Sequence, residues 1–308
     1  MRASRTYTFF ILYILLNFIS GFAVLMLMGS GADQTLFSAV WQAIFFIPLI
    51  IIGTKMGGGA QSLSFGRVSP VDIVSAVFLA FAIIPLLSFI SALSALFFPN
   101  TAADTLYAAR ETPFVLSLVS LCLMPAVFEE LTFRGIIFSG FKNFRLKTAC
   151  VMGGLLFALA HFSLQSFLYT FLTGTLFCFM LYRTKSVIPG MVTHFTINLS
   201  QVLLSRAVYS APAKSAQASQ GVITPLQILW LAFLSLFISF YLLSLMGRKY
   251  GRGRPLFAPP VKKGFVIETE EVFDYAPEKG CGDRIFDIRL IIILIVYFLY
   301  VFYPYFLI

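Results

Sequence analysis

Residues 123–140 read LMPAVFEELTFRGIIFSG, and this stretch decides what kind of fold the chain can have. It is apolar over the length of a bilayer-spanning helix, which needs roughly 20 mostly apolar residues. Yet Glu129, Glu130 and Arg134 stand inside it. A charge at the centre of a spanning helix costs about 2.5–3.5 kcal/mol on insertion scales, so a group of three is retained for a reason.

The surrounding composition places this stretch in a membrane protein. Of 308 residues, 59% are hydrophobic and 11% charged, with mean hydropathy +0.91. Soluble domains are about 45–50% apolar and about 25% charged, so a water-soluble globule is excluded. Candidate spans run at about 8–29, 36–53, 72–98, 113–140, 148–162, 166–182, 187–204, 226–246 and 286–308. The expected fold is an all-α polytopic bundle of eight or nine spans enclosing a polar intramembrane cavity. Asp287 and Arg289 leave the crossing of the last segment open.

Lysine and arginine collect on cytoplasmic loops. With the N-terminus inside and the spans alternating, seventeen basic residues fall inside, against Arg110, Arg206 and Lys214 outside. The net charge of +9 therefore reads as topology and attraction to anionic membrane lipid, with no nucleic acid partner. The expected location is the plasma (inner) membrane. The opening MRASRTYTFFILYILL has the basic start of a signal peptide but no small-residue cleavage site, and reads as an uncleaved first helix. Ser205–Gln220 reads as an outer loop and 247–284 as a cytoplasmic one. The organisation expected is N-terminal helices at 1–112, a catalytic core at 113–205, a loop and span at 206–246, and a basic loop with a final apolar segment at 247–308. Cys122, Cys150, Cys178 and Cys281 form no CxxC pair; the first three read as small buried hydrophobes.

Glu130 and Arg134 are spaced i,i+4 in the favourable order, which predicts an ion pair. Glu129 is then rotated by about 100° and left without a structural task. The two histidines of the chain, His161 and His194, also lie in apolar segments, LLFALAHF and MVTHFTIN. Phe157 precedes His161 by one turn and can pack on its imidazole. Asn198 follows His194 by one turn on the same face. Pro125 can kink the helix that carries Glu129, and Pro189-Gly190 loosens the entry to the His194 helix. A carboxylate with an imidazole can hold and deprotonate water. An imidazole and an amide can donate to an oxyanion. These are the parts of a peptide hydrolase without a covalent intermediate. The residues alone also leave open a proton-coupled transporter, a bis-histidine haem protein and a non-catalytic scaffold.

Three motifs in order, EELTFR (Glu129–Arg134), FALAH (Phe157–His161) and HFTIN (His194–Asn198), match EExxxR, FxxxH and HxxxN. On these the chain resembles the CPBP (Abi) family of intramembrane proteases, which process CAAX prenyl proteins and bacteriocins. The resemblance covers roughly residues 113–205. It implies an endopeptidase acting on a membrane-associated or lipidated substrate, with bacteriocin immunity among the family's other roles. It assigns Glu129 and His161 as the water-activating pair and His194 and Asn198 as the oxyanion side. Glu130, Arg134 and Phe157 support them. The family is described both as metalloprotease and as glutamate-dependent; a zinc ion, if used, would take Glu129, His161 and His194 as ligands. Site-2-type zinc proteases are excluded because two histidines 33 positions apart cannot make HExxH. The GCGD at Gly280–Asp283 lacks the second mid-span aspartate of an intramembrane aspartyl protease and reads as a turn.

Overall fold

The computed structural model describes residues 2–27, 34–57, 63–99, 112–209, 225–248 and 284–306, and all of its regular structure there is helical. In chain order the helices are α1 (Ala3–Leu27), α2 (Gln34–Gly57), α3 (Pro70–Ser94), α4 (Phe114–Phe141), α5 (Leu146–Leu159), α6 (Leu164–Thr184), α7 (Ile188–Tyr209), α8 (Pro225–Leu245) and α9 (Ile288–Phe306). Most of the two expected loops, including Cys281 and the GCGD turn, lies outside the described residues. The helix α7 runs on through Tyr209, so the first five residues assigned to the outer loop are helical instead.

Four helices are long and apolar enough to cross a membrane: Ala3–Ala23, Pro70–Ser94, Phe114–Phe141 and Leu164–Thr184. Four more are apolar but shorter over their described residues: Gln42–Gly57, Leu146–Leu159, Leu229–Leu245 and Ile288–Phe302. At 1.5 Å per residue, the 14 residues of α5 fall short of a hydrocarbon core of about 30 Å. Length and composition thus support four crossings among the described residues, and the eight or nine expected are not confirmed.

Contacts along the helices fix their directions. Near one end Tyr7 of α1 donates to the Ile285 carbonyl just before α9, 2.7 Å, and packs on Phe141 at the C-terminus of α4. At that same end the Asp72 carboxylate at the start of α3 accepts from the Gly247 N–H just after α8, 2.8 Å. Arg183 near the end of α6 donates to the Ser244 and Met246 carbonyls at 2.9 and 3.0 Å. These bonds satisfy carbonyls that a helix C-terminus leaves without partners. The Ser69–Asp72 capping box starts α3 there as well. Arg2, Arg5, Arg145, Arg183, Lys185, Arg248 and Arg284 share this end, so the basic residues gather on one side of the bundle.

Two cores result. The larger joins α1, α2, α4, α5, part of α6 and α9 around Tyr7, Phe10, Phe133, Phe141 and Tyr297. The smaller joins α3, α6, α7 and α8 around Leu79, Ile83, Phe177 and Ile197. The helices α5 and α6 cross with almost no side chain between them: a Cβ on Gly174 would lie 2.8 Å from the Gly154 Cα. Small residues permit such approach where lipid supplies no hydrophobic drive. Cys122, Cys150 and Cys178 are buried free thiols, as expected.

Candidate active site

The helix α4 is not a regular α-helix. Leu118–Leu123 and Glu130–Ile137 are wound as π-helix, with α-helical Met124–Glu129 between them. At the end of the first π segment, Pro125 has no N–H to give to a carbonyl four or five residues earlier. Those carbonyls belong to Leu121 and Ser120. The Asn198 side-chain amide donates to the Leu121 carbonyl at 2.9 Å, and Gln42 to the Ser120 carbonyl at 3.4 Å. The break is thus repaired by side chains from α7 and α2, as Pro in a membrane helix requires. Irregular turns of this kind mark functional sites, and the Glu129–Glu130 pair sits on the second α-to-π junction.

The ion pair predicted from spacing forms: Arg134 Nη1 donates to Glu130 Oε1 at 3.0 Å. Both side chains are buried, at 1% and 0% exposure. Spacing did not reveal that His194 shares that oxygen, its Nδ1 lying 3.1 Å from Glu130 Oε1. A carboxylate accepts, so Nδ1 carries the proton and the ring is oriented with Nε2 turned away. Gly190, one turn before His194, makes the approach possible, since a Cβ there would come within 3.0 Å of Glu130 Oε2. That oxygen has no hydrogen-bond partner among the described residues. Arg134 also donates through Nη2 to the Gly174 carbonyl at the α5–α6 crossing, 3.3 Å.

Phe157 is the hub. The Arg134 guanidinium lies 4.3 Å over its ring, His161 meets it edge-on at 4.7 Å, and His194 at 6.3 Å. His161 follows the end of α5 in a turn where Phe162 takes a left-handed φ of 47°. Its Nδ1 lies 2.8 Å from the Phe157 carbonyl. A carbonyl accepts only, so Nδ1–H is the donor, and in the neutral ring Nε2 holds the lone pair. The turn is clamped by rings: Phe162 packs on Phe18 of α1 and on Tyr297 and Tyr300 of α9. The C-terminal helix, which the motifs give no reason to expect, therefore steadies one site histidine.

Glu129 stands apart from this cluster. It is half-buried, forms no hydrogen bond or ion pair with a described residue, and lies within electrostatic range of the Tyr13 phenol. Direct contacts therefore unite Glu130, Arg134, His194, Phe157 and His161, with Asn198 joined through the α4 backbone. The expected zinc ligand set is not supported: among the described residues no three His, Cys, Asp or Glu side chains come together closely enough to hold a metal ion. His194 has its Nδ1 taken by Glu130, which is not among the ligands expected.

A half-buried acid, two oriented imidazoles and a buried ion cluster on a broken helix make a polar site between apolar helices, as in an integral membrane protein. Residues 111–200 match the family model described as type II CAAX prenyl endopeptidase Rce1-like, so this stretch is similar to those endopeptidases. This agrees with the CPBP resemblance of the three motifs, all of which fall within the match. No curated protein and no solved structure matches the chain.

Proposed function

We propose that the protein is an intramembrane endopeptidase that hydrolyses a peptide bond in a membrane-associated or lipidated substrate, with Glu129 as general base. The observation that carries this is the contrast between the two glutamates. Glu130 is consumed by Arg134 and His194, whereas Glu129 keeps an uncommitted carboxylate one residue away.

Water held between the Glu129 carboxylate and the His161 Nε2 lone pair donates both hydrogens and presents its own lone pair to the scissile carbonyl. Glu129 takes the proton as the C–O bond forms. The negative charge moves to the carbonyl oxygen, where His194 and Asn198 donate. The Asn198 amide has a second N–H beyond the one given to Leu121. His194 donates through Nε2 only as imidazolium, since its Nδ1–H is already directed to Glu130. The C–N bond then breaks and Glu129 returns its proton to the leaving amine. Phe157, Glu130 and Arg134 hold the imidazoles in place. No step passes through zinc, because the donor set does not fit one.

On this reading residues 113–205 form the catalytic core. The eight- or nine-span topology has its basic end in the cytoplasm, the N-terminus inside, and the chain sits in the inner membrane. The reading is tested with a farnesylated CAAX peptide and purified protein. The wild type releases the C-terminal tripeptide before and after exhaustive chelation. Loss of activity on chelation, restored by zinc, would refute the water-only mechanism.

A further inference from the structure

One pocket does not belong to the chemistry above. It is open at its mouth and is lined by Ser64, Arg134, Ser139, Tyr182 and Lys185 among others. It lies between the C-terminal ends of α4 and α6, at the end of the bundle where the basic residues gather. Among the described residues no acidic side chain lines it. Arg134 is 1% exposed, and while its Nη atoms are bonded to Glu130 and Gly174, its Nε has no hydrogen-bond partner among the described residues. A buried charged donor without an acceptor is costly unless something fills the need. Lys185 brings a second cation, its ammonium 4.4 Å over the Tyr182 ring.

The rim is fixed by backbone bonds. The Val187 N–H donates to the Ser64 carbonyl and the Gly66 N–H to the Lys185 carbonyl, both at 3.0 Å. Ser64 and Lys185 hold left-handed φ angles of 55° and 56°, two of the three such non-glycine residues among those described. The Ser139 hydroxyl is already directed to the Ile136 carbonyl at 2.6 Å.

From this geometry we infer that the pocket is a phosphate-binding site at headgroup level, where Arg134 Nε and Lys185 Nζ receive the phosphate of an anionic membrane lipid. A tetrahedral phosphate offers oxygens in more than one plane, which suits a guanidinium N–H and an ammonium on different helices. Basic pockets between spans at the cytoplasmic interface bind lipid headgroups in this way. Because Arg134 also holds Glu130, an occupant here bears on the His194 side of the site from outside it.

The test is thermal unfolding of the full chain, purified in phosphate-free maltoside detergent and titrated separately with inorganic phosphate and short-chain phosphatidylglycerol. Lys185→Asn removes the charge and suits the left-handed position. Lys147→Gln removes an exposed charge at the same end and serves as control. Phosphatidylglycerol raises the unfolding midpoint of the wild type saturably. Half-saturation moves up about tenfold in Lys185→Asn and stays unchanged in Lys147→Gln. Response to the lipid alone identifies the headgroup as the source; an equal response to inorganic phosphate means that the free ion enters too. Equal titrations of Lys185→Asn and wild type, equal weakening by both substitutions, or no response to either compound overturns the site.

Discussion

Glu130 holds Arg134 at 3.0 Å and His194 at 3.1 Å through one carboxylate oxygen, whereas Glu129, one residue earlier, holds no described residue. Removing one member of a buried pair leaves the other charge uncompensated, at a cost of about 3–5 kcal/mol. Glu130→Ala should therefore lower the thermal midpoint of the purified chain sharply, and Glu129→Ala should leave it near wild type. Equal losses would mean that Glu129 has a structural role as well. Asn198 gives a second contrast, since its amide caps a carbonyl that Pro125 leaves open. Asn198→Ala should destabilise by about 1–3 kcal/mol, the cost of an orphaned buried acceptor. Urea titration of Asn198→Ala against wild type would check this, and an unchanged midpoint would mean that water replaces the amide.

At the scale of elements, the composite helix α4 and the α5–α6 crossing set the site. A Cβ at Gly174 would meet the Gly154 Cα at 2.8 Å and the Phe157 Cβ at 3.1 Å, so the helices would have to part. Overpacking of this kind costs about 1–3 kcal/mol. It would also displace Phe157 and the carbonyl that receives Arg134. Gly174→Ala should thus reduce both stability and proteolysis, whereas Gly21→Ala, with nothing within 4 Å, should do neither. If Gly174→Ala behaves like Gly21→Ala, the close crossing is not what positions the ring. Of these features the sequence made some visible: the i,i+4 pair, the ring before His161 and the kink at Pro125 follow from spacing or residue type. The His194–Glu130 bond does not, because nothing in one helix reports which face of another it meets. Gly190, one turn before His194, was the signal available, and its meaning is plain only once Glu130 Oε2 is seen beside it. The repair of α4 by Gln42 and Asn198 joins positions far apart in the chain, and the turn holding His161 depends on rings from α1 and α9.

For the whole molecule, the family match covers residues 111–200, yet the core that supports the site extends well beyond it. Leu290, Ile293, Tyr297 and Val301 of α9 are buried in the same cluster as Phe133, Phe141 and Phe157. Ending the chain at residue 286 would expose that surface and release Phe162. The truncated protein should unfold at a lower temperature and lose activity in membranes from which full-length protein is recovered intact. Full activity after truncation would show that α9 does not contribute to the site. The all-helical class and the membrane setting were legible from composition, because 59% hydrophobic residues leave no soluble alternative. The count of eight or nine crossings is not confirmed, since four of the described helices have the length and composition of a span. Apolar length alone does not separate a full span from a helix such as α5, which is shorter and packs inside the bundle.

The central claim is that water activated at Glu129 cleaves peptide bonds, and quantitative terminal proteomics of membranes tests it most directly. Membranes carrying wild-type protein are compared with membranes carrying Glu129→Gln at equal abundance. New termini in membrane-associated proteins should appear with the wild type and be lost with the variant, whose thermal midpoint stays unchanged. Identical sets of termini in the two membranes, with both proteins folded, would contradict the account.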